Sequence, residues 1–133
     1  MGAQVTTLSY VNLFCRDIDA VFGFYDGLFG LDEIVASRSP IFRGARTGGA
    51  SIGFSAYEAY EILGLKEAKA GDGDRALITF EVEDRAAVDA LTEKAVALGA
   101  AVVKTPFETY YGWYQSVLRD PEGQPFRINR AGN

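Results

Sequence analysis

Two short apolar runs, each stopped by an aspartate and followed by a helical stripe, organise this chain. Tyr10–Arg16 (YVNLFCR) stops at Asp17, and Leu77–Glu83 (LITFEVE) stops at Asp84. Both runs have the length and the branched and aromatic content of strands. Each aspartate stands where its carboxylate can accept from the free N–H groups of a helix's first turn. After Asp17, the residues Ile18, Val21, Phe22, Tyr25, Leu28 and Phe29 share one helical stripe; after Asp84, Val88, Leu91, Ala95 and Leu98 do the same. Gly30 and Gly99 then follow, the residue type expected at a left-handed helix C-cap.

Strand and turn material comes after each helix. The first half offers Asp32–Ser37, Ile41–Arg46 and Ser51–Tyr57, punctuated by Pro40 and Gly48-Gly49. The second offers Ala101–Lys104, Gly112–Arg119 and Pro125–Arg130, punctuated by Pro106 and the turn Asp120-Pro121-Glu122-Gly123. The chain therefore predicts one βαβββ unit twice, over residues 5–58 and 76–131, with a polar linker at 59–75 that holds a helical turn around Ile62–Lys69. No glycine-rich phosphate loop joins strand to helix, which opposes a doubly wound parallel sheet. An α+β fold with helices on one side of mixed or antiparallel sheets fits the pattern.

A length of 133 residues favours a single domain built from the two units. With 48% hydrophobic and 23% charged residues, the chain has the balance of a folded globular protein. The net charge of −5 opposes nucleic-acid binding, which needs a basic face. Cys15 is the only cysteine, so no internal disulfide forms and a reducing compartment is expected. Met1–Thr7 has no basic start and no apolar run, and no apolar stretch is long enough to cross a bilayer. The expectation is a soluble, cytoplasmic protein with no membrane partner. There is no histidine, which excludes an imidazole base, an imidazole metal ligand and a Ser–His or Cys–His pair.

Three segments carry a family resemblance. YVNLFCRDIDAVFGFYDGLFGL (Tyr10–Leu31), LITFEVEDRAAVDAL and GWYQSVLRDPEGQPFRI resemble the opening, the second-half strand and helix, and the closing hairpin of vicinal oxygen chelate proteins, the glyoxalase/bleomycin-resistance/extradiol dioxygenase superfamily. The resemblance covers nearly the whole chain. It implies paired βαβββ modules whose sheets curl into a cup, and a homodimer. Enzymes of that family hold a divalent metal in the cup on histidines and carboxylates. Matching residue by residue, the resemblance puts Tyr10 and Leu77 at the histidine positions and Arg127 at a carboxylate position. Neither a phenol, an isobutyl group nor a guanidinium suits such a cation, so no metal and no cofactor are expected.

Strand alternation assigns Tyr10, Asn12 and Phe14 to the cup, with Val11, Leu13 and Cys15 toward the helix. In the second module Leu77, Thr79 and Glu81 face the cup, as do Arg127 and Asn129 on the last strand. The segment FETYYGWY holds Phe107, Tyr110, Tyr111, Trp113 and Tyr114; these either wall a pocket for a flat ligand or pack on the sheet or a second subunit. Arg127 either pairs with Glu81 or binds an anionic ligand group. Tyr10 fills the vacated metal position rather than acting as an acid, since a phenol titrates near pH ~10. Asp17 and Asp84 are caps, Cys15 is core, and Glu58 and Glu61 are solvated. The function expected is metal-free binding of a small organic ligand in an aromatic cup, for sequestration, resistance or transport. The alternatives are a lyase or isomerase working without a His-ligated metal, and a dimer whose cups are filled by their own side chains.

Overall fold

The structure is a computed structural model that describes residues 8–69 and 72–132. Met1–Thr7, including the expected start of the first module, and Gly71 of the linker lie outside the described residues. Among the described residues twelve elements follow one another: β1 (Tyr10–Cys15), α1 (Ile18–Phe29), β2 (Asp32–Glu33), a 3₁₀ turn (Val35–Ser37), β3 (Phe42–Arg46), β4 (Ser51–Ala56), α2 (Glu58–Ile62), β5 (Ile78–Glu81), α3 (Arg85–Ala97), β6 (Ala101–Glu108), β7 (Tyr114–Arg119) and β8 (Pro125–Arg130). The α+β architecture with a repeated βαβββ order is as the sequence predicts. Two compact units result: residues up to Phe22 with Gly30–Glu67, and Gly23–Phe29 with Ala68 onward.

The first unit is a four-stranded sheet in the order β1-β4-β3-β2, with β1 and β4 parallel and the other pairs antiparallel. Asp17 caps α1, its Oδ1 accepting from Ala20 N at 3.0 Å. Leu13, Cys15, Val21, Ile52 and Phe54 are buried together with Ala45, so one face of every long strand is core. The predicted strand Asp32–Ser37 ends after two residues. Ser37 N and Ser37 Oγ both donate to Ile34 O, at 2.9 and 2.7 Å, and this local bonding turns the chain out of the sheet. The helical turn expected at Ile62–Lys69 lies earlier, at Glu58–Ile62. It stops there because Gly64, with φ +69°, takes the left-handed conformation that ends a helix.

The second unit repeats the plan as β5-β8-β7-β6, with β5 parallel to β8. Asp84 Oδ1 accepts from Ala87 N at 2.8 Å, and Gly99 at φ +110° follows α3. One face of the sheet buries Leu118, Phe126 and Ile128 with Val88, Thr92 and Ala95 of α3. Leu98, expected on the α3 stripe, is exposed because it sits past the last turn; Thr92 is buried instead, its hydroxyl 2.6 Å from Ser116 Oγ. Phe24, outside the expected α1 stripe, is buried edge-on against Phe126 at 5.8 Å. β6 runs on through Pro106, with register shifts between Val102 and Lys104 and again between Lys104 and Phe107. Proline is tolerated because β6 is the edge strand.

The turn after β7 is built around a buried carboxylate. Asp120 is 4% exposed; Tyr25 Oη donates to its Oδ2 at 2.8 Å, and Glu122 N and Gln124 N donate to its Oδ1 at 2.8 and 3.1 Å. Burial raises the Asp120 pKa above 3.8, against the pull of those three donors. Gly123, at φ +92°, closes the turn with N–H to Asp120 O.

Candidate functional site

Opposite its buried face, each sheet presents a second face whose side chains follow from strand alternation. On the first sheet this face carries Tyr10, Asn12 and Phe14 of β1, Gly53 and Ser55 of β4, and Phe42 and Gly44 of β3. A Cβ on Gly53 would meet Asn12 Oδ1 at 2.8 Å and Phe42 Cε1 at 2.9 Å; one on Gly44 would meet Phe42 Cε2 at 3.0 Å. Phe42 therefore lies across both glycines, in space that any side chain would take. Asn12 Nδ2 donates to Ser55 Oγ at 3.0 Å, Phe14 stacks on Tyr60 at 4.0 Å, and Tyr10 tilts toward Phe42 at 6.3 Å.

The second sheet's corresponding face is polar. Register aligns Thr79, Arg127, Val117 and Lys104 in one row across four strands, and Glu81, Asn129, Gln115 and Phe107 in the next. Arg127 donates from Nε to Thr79 Oγ1 at 2.7 Å and from Nη1 to Gln115 Oε1 at 3.3 Å. The expected alternative of an Arg127–Glu81 pair is not what forms. Parallel register sets Thr79, not Glu81, opposite Arg127, and the Glu81 oxygens accept from Asn129 Nδ2 at 2.9 Å and Ala131 N at 2.6 Å. Asn129 is 0% exposed, and its Oδ1 has no donor among the described residues. Beside this row an open depression of about 340 Å³ is lined by Leu77, Val103, Val117 and Pro125, with the Arg119–Asp74 pair (2.8 Å) at its edge.

The aromatic segment divides. Phe107 lies on the second open face under Lys104 Nζ, 3.9 Å from the ring centroid. Tyr110, Tyr111 and Trp113 form edge-to-face contacts at the β6–β7 turn, with Tyr110 100% exposed. Tyr114 points to the α3 side, its Oη donating to Asp89 Oδ1 at 2.6 Å under the Arg85 guanidinium. That bond to a carboxylate raises the Tyr114 pKa, as does partial burial. So the second open face gathers Glu81, Phe107 and Arg127 from the expected site residues. Tyr10, Asn12 and Phe14 belong to the first sheet, and Tyr114 to the opposite side of the second. Gln115, Val117 and Lys104 stand on this face outside the expected set; the alternation in YQSVLR is the sequence signal that places Gln115 and Val117 there.

The donor set does not suit the divalent metal that the family resemblance implies. Arg127 is a cation, Leu77 has no donor atom, and the Glu81 oxygens are already engaged. Among the described residues, no three His, Cys, Asp or Glu side chains gather closely enough to hold an ion. No helix among them is long and apolar enough to cross a membrane.

Comparison with solved structures places this geometry among known proteins. A glyoxalase/bleomycin resistance protein/dioxygenase family enzyme from Burkholderia phytofirmans PsJN is 51% identical, with a TM-score of 0.88, over 94% of this chain and 98% of that one. At 20% identity, lactoylglutathione lyase from Agrobacterium tumefaciens shares the fold with a TM-score of 0.73, over 97% and 96% of the two chains. TioX from Micromonospora sp. ML1 does so at 21% identity, with a TM-score of 0.66 over 94% and 98%. No curated protein sequence matches. The family model for the Glyoxalase/Bleomycin resistance protein/Dioxygenase superfamily matches residues 7–128, and with the doubled βαβββ order it establishes that this chain belongs to that superfamily.

Proposed function

We propose that this protein binds a small organic molecule on the open face of its second sheet, without a His-ligated metal, in a sequestration, resistance or carrier role. The observation that carries the reading is the open depression beside the Arg127 row, apolar on its floor and polar at one side. Ligand sites combine apolar walls with a few placed polar groups in this way. The aromatic residues of the β6–β7 turn add rings at the end of the same sheet. A thermal-shift and calorimetric screen of basic drugs, aromatic acids and thiol conjugates tests it. A ligand at about a hundred times its Kd adds about 2.7 kcal/mol, a clear rise in Tm. A complete absence of stabilisation across the three classes sinks the reading.

A second reading, catalysis by a lyase or isomerase, is favoured by one finding: the 51% identical relative is described as an enzyme. It requires a pH–rate profile that disappears on changing Arg127 or Glu81. The homodimer expected from the resemblance belongs to the same proposal, and light scattering at twice the chain mass tests it.

A further inference from the structure

We propose that the ligand is an organic acid whose carboxylate sits on the Arg127 guanidinium and whose apolar part lies over Val117. This rests on the binding reading above and names its chemical class. Arg38, Arg43, Arg46, Arg85 and Arg119 each hold a carboxylate within 4 Å. Arg127 has no such partner among the described residues, and neither has Arg75 on the wall of the depression. It is braced by two neutral acceptors, Thr79 Oγ1 and Gln115 Oε1, which orient the guanidinium without neutralising it.

A guanidinium has five N–H donors, and these two bonds leave both Nη2 hydrogens and one on Nη1 unspent. That is the donor fork a planar carboxylate matches bidentately. Val117 is the cross-strand neighbour of Arg127 and also lines the depression, so an apolar group attached to the carboxylate has a floor of matching chemistry. Across Val117 stands Lys104, another cation without a carboxylate partner among the described residues. Of the carboxylates near this row, Asp74 is paired with Arg119, while Glu81 keeps its charge and is turned toward Asn129 and Ala131. In a chain of net charge −5, these two rows carry two cations, Arg127 and Lys104, against one carboxylate, Glu81, a local balance that favours an anion.

The test uses benzoate, with benzamide as its uncharged counterpart of the same shape, titrated into the full chain labelled for arginine Nε and for methyl groups. Benzoate is expected to shift the Arg127 Nε–H and the Val117 methyls saturably, and benzamide to bind about tenfold more weakly or worse. Arg127→Met is expected to remove the preference for benzoate while leaving the response to benzamide. Arg127→Gln, whose amide can still reach its neighbours, serves if the Met variant does not fold. Equal binding of the two probes, or benzoate binding untouched by both variants, overturns the organic-acid assignment while methyl shifts at Leu77, Val103 and Val117 uphold the binding reading. No response to either probe at those methyls or at Arg127 overturns the organic-acid assignment, and the binding reading then falls only if the three-class screen is silent as well.

Discussion

The two sheets share one register and differ in the chemistry of the face turned from their cores. Gly53 lies beside Asn12 as Arg127 lies beside Thr79, Gly44 corresponds to Val117, and Phe42 corresponds to Gln115. On the first sheet two glycines make a shallow bed, and the Phe42 ring occupies it. On the second, the same positions carry a cation, a branched floor and an amide that holds the cation in place. One backbone plan thus supports a face covered by its own Phe42 ring and a face left open beside Arg127, the two central positions lacking a Cβ on the first and carrying one on the second.

The strongest way to break this comparison is to give the first sheet a side chain where it has none. Gly53→Val should lower stability in urea by about 2–3 kcal/mol, because Asn12 and Phe42 cannot both stay in place. Phe42→Ala in the same chain should recover part of that loss, a coupling that separates crowding from strand propensity.

Next in size is the buried carboxylate of the second unit. Its folded pKa is raised, so between 3.8 and that higher value the folded chain binds the proton that the unfolded chain has released. The Asp120 contribution to stability therefore falls as pH rises through this window. Asp120→Asn should flatten that slope in urea melts taken at successive pH values. Asp74 and Glu33 act with the opposite sign. Their pKa values are lowered by hydrogen bonds to Arg119 and Arg38, so their contribution is present above the unfolded carboxylate pKa and is lost as pH falls.

Arg127→Met should lower stability by about 1–2 kcal/mol, since a half-buried residue loses two bonds to neutral partners, one of them to the buried Gln115, and no ion pair. A much larger loss would make Arg127 a structural brace rather than a ligand group. The smallest effect is expected for Tyr114→Phe: its hydroxyl bonds Asp89 on the α3 side, so benzoate binding should be unchanged within error.

Local chemistry made much of the fold legible. Asp17 and Asp84 cap, Gly30 and Gly99 terminate, and the Asp120–Gly123 turn closes, each through neighbours in sequence. α2 lies earlier and β2 is shorter than the pattern predicts because of two local features, the Gly64 stop and the Ser37 hydroxyl. The site was less legible, because it depends on pairing between distant strands. Gln115 matters only because β7 sets it beside Asn129 next to Arg127, and Glu81 loses Arg127 by one register step. Nothing in FETYYGWY shows that Phe107 and Tyr114 end on opposite sides; the shifts along β6 and the alternation in β7 decide it.

Those β6 irregularities have a consequence for the protein's company. β6 is the outer strand of its sheet, and its far edge offers backbone groups that any stray strand can read. Pro106 removes one donor from the strand, Lys104 puts a charge there, and two slips in pairing spoil the even spacing a neighbour would need. The edge is a poor template for strand-to-strand pairing with another copy. Pro106→Val should shorten the lag before fibrils form at elevated temperature, read by thioflavin fluorescence, and an unchanged lag would show that such pairing is limited elsewhere.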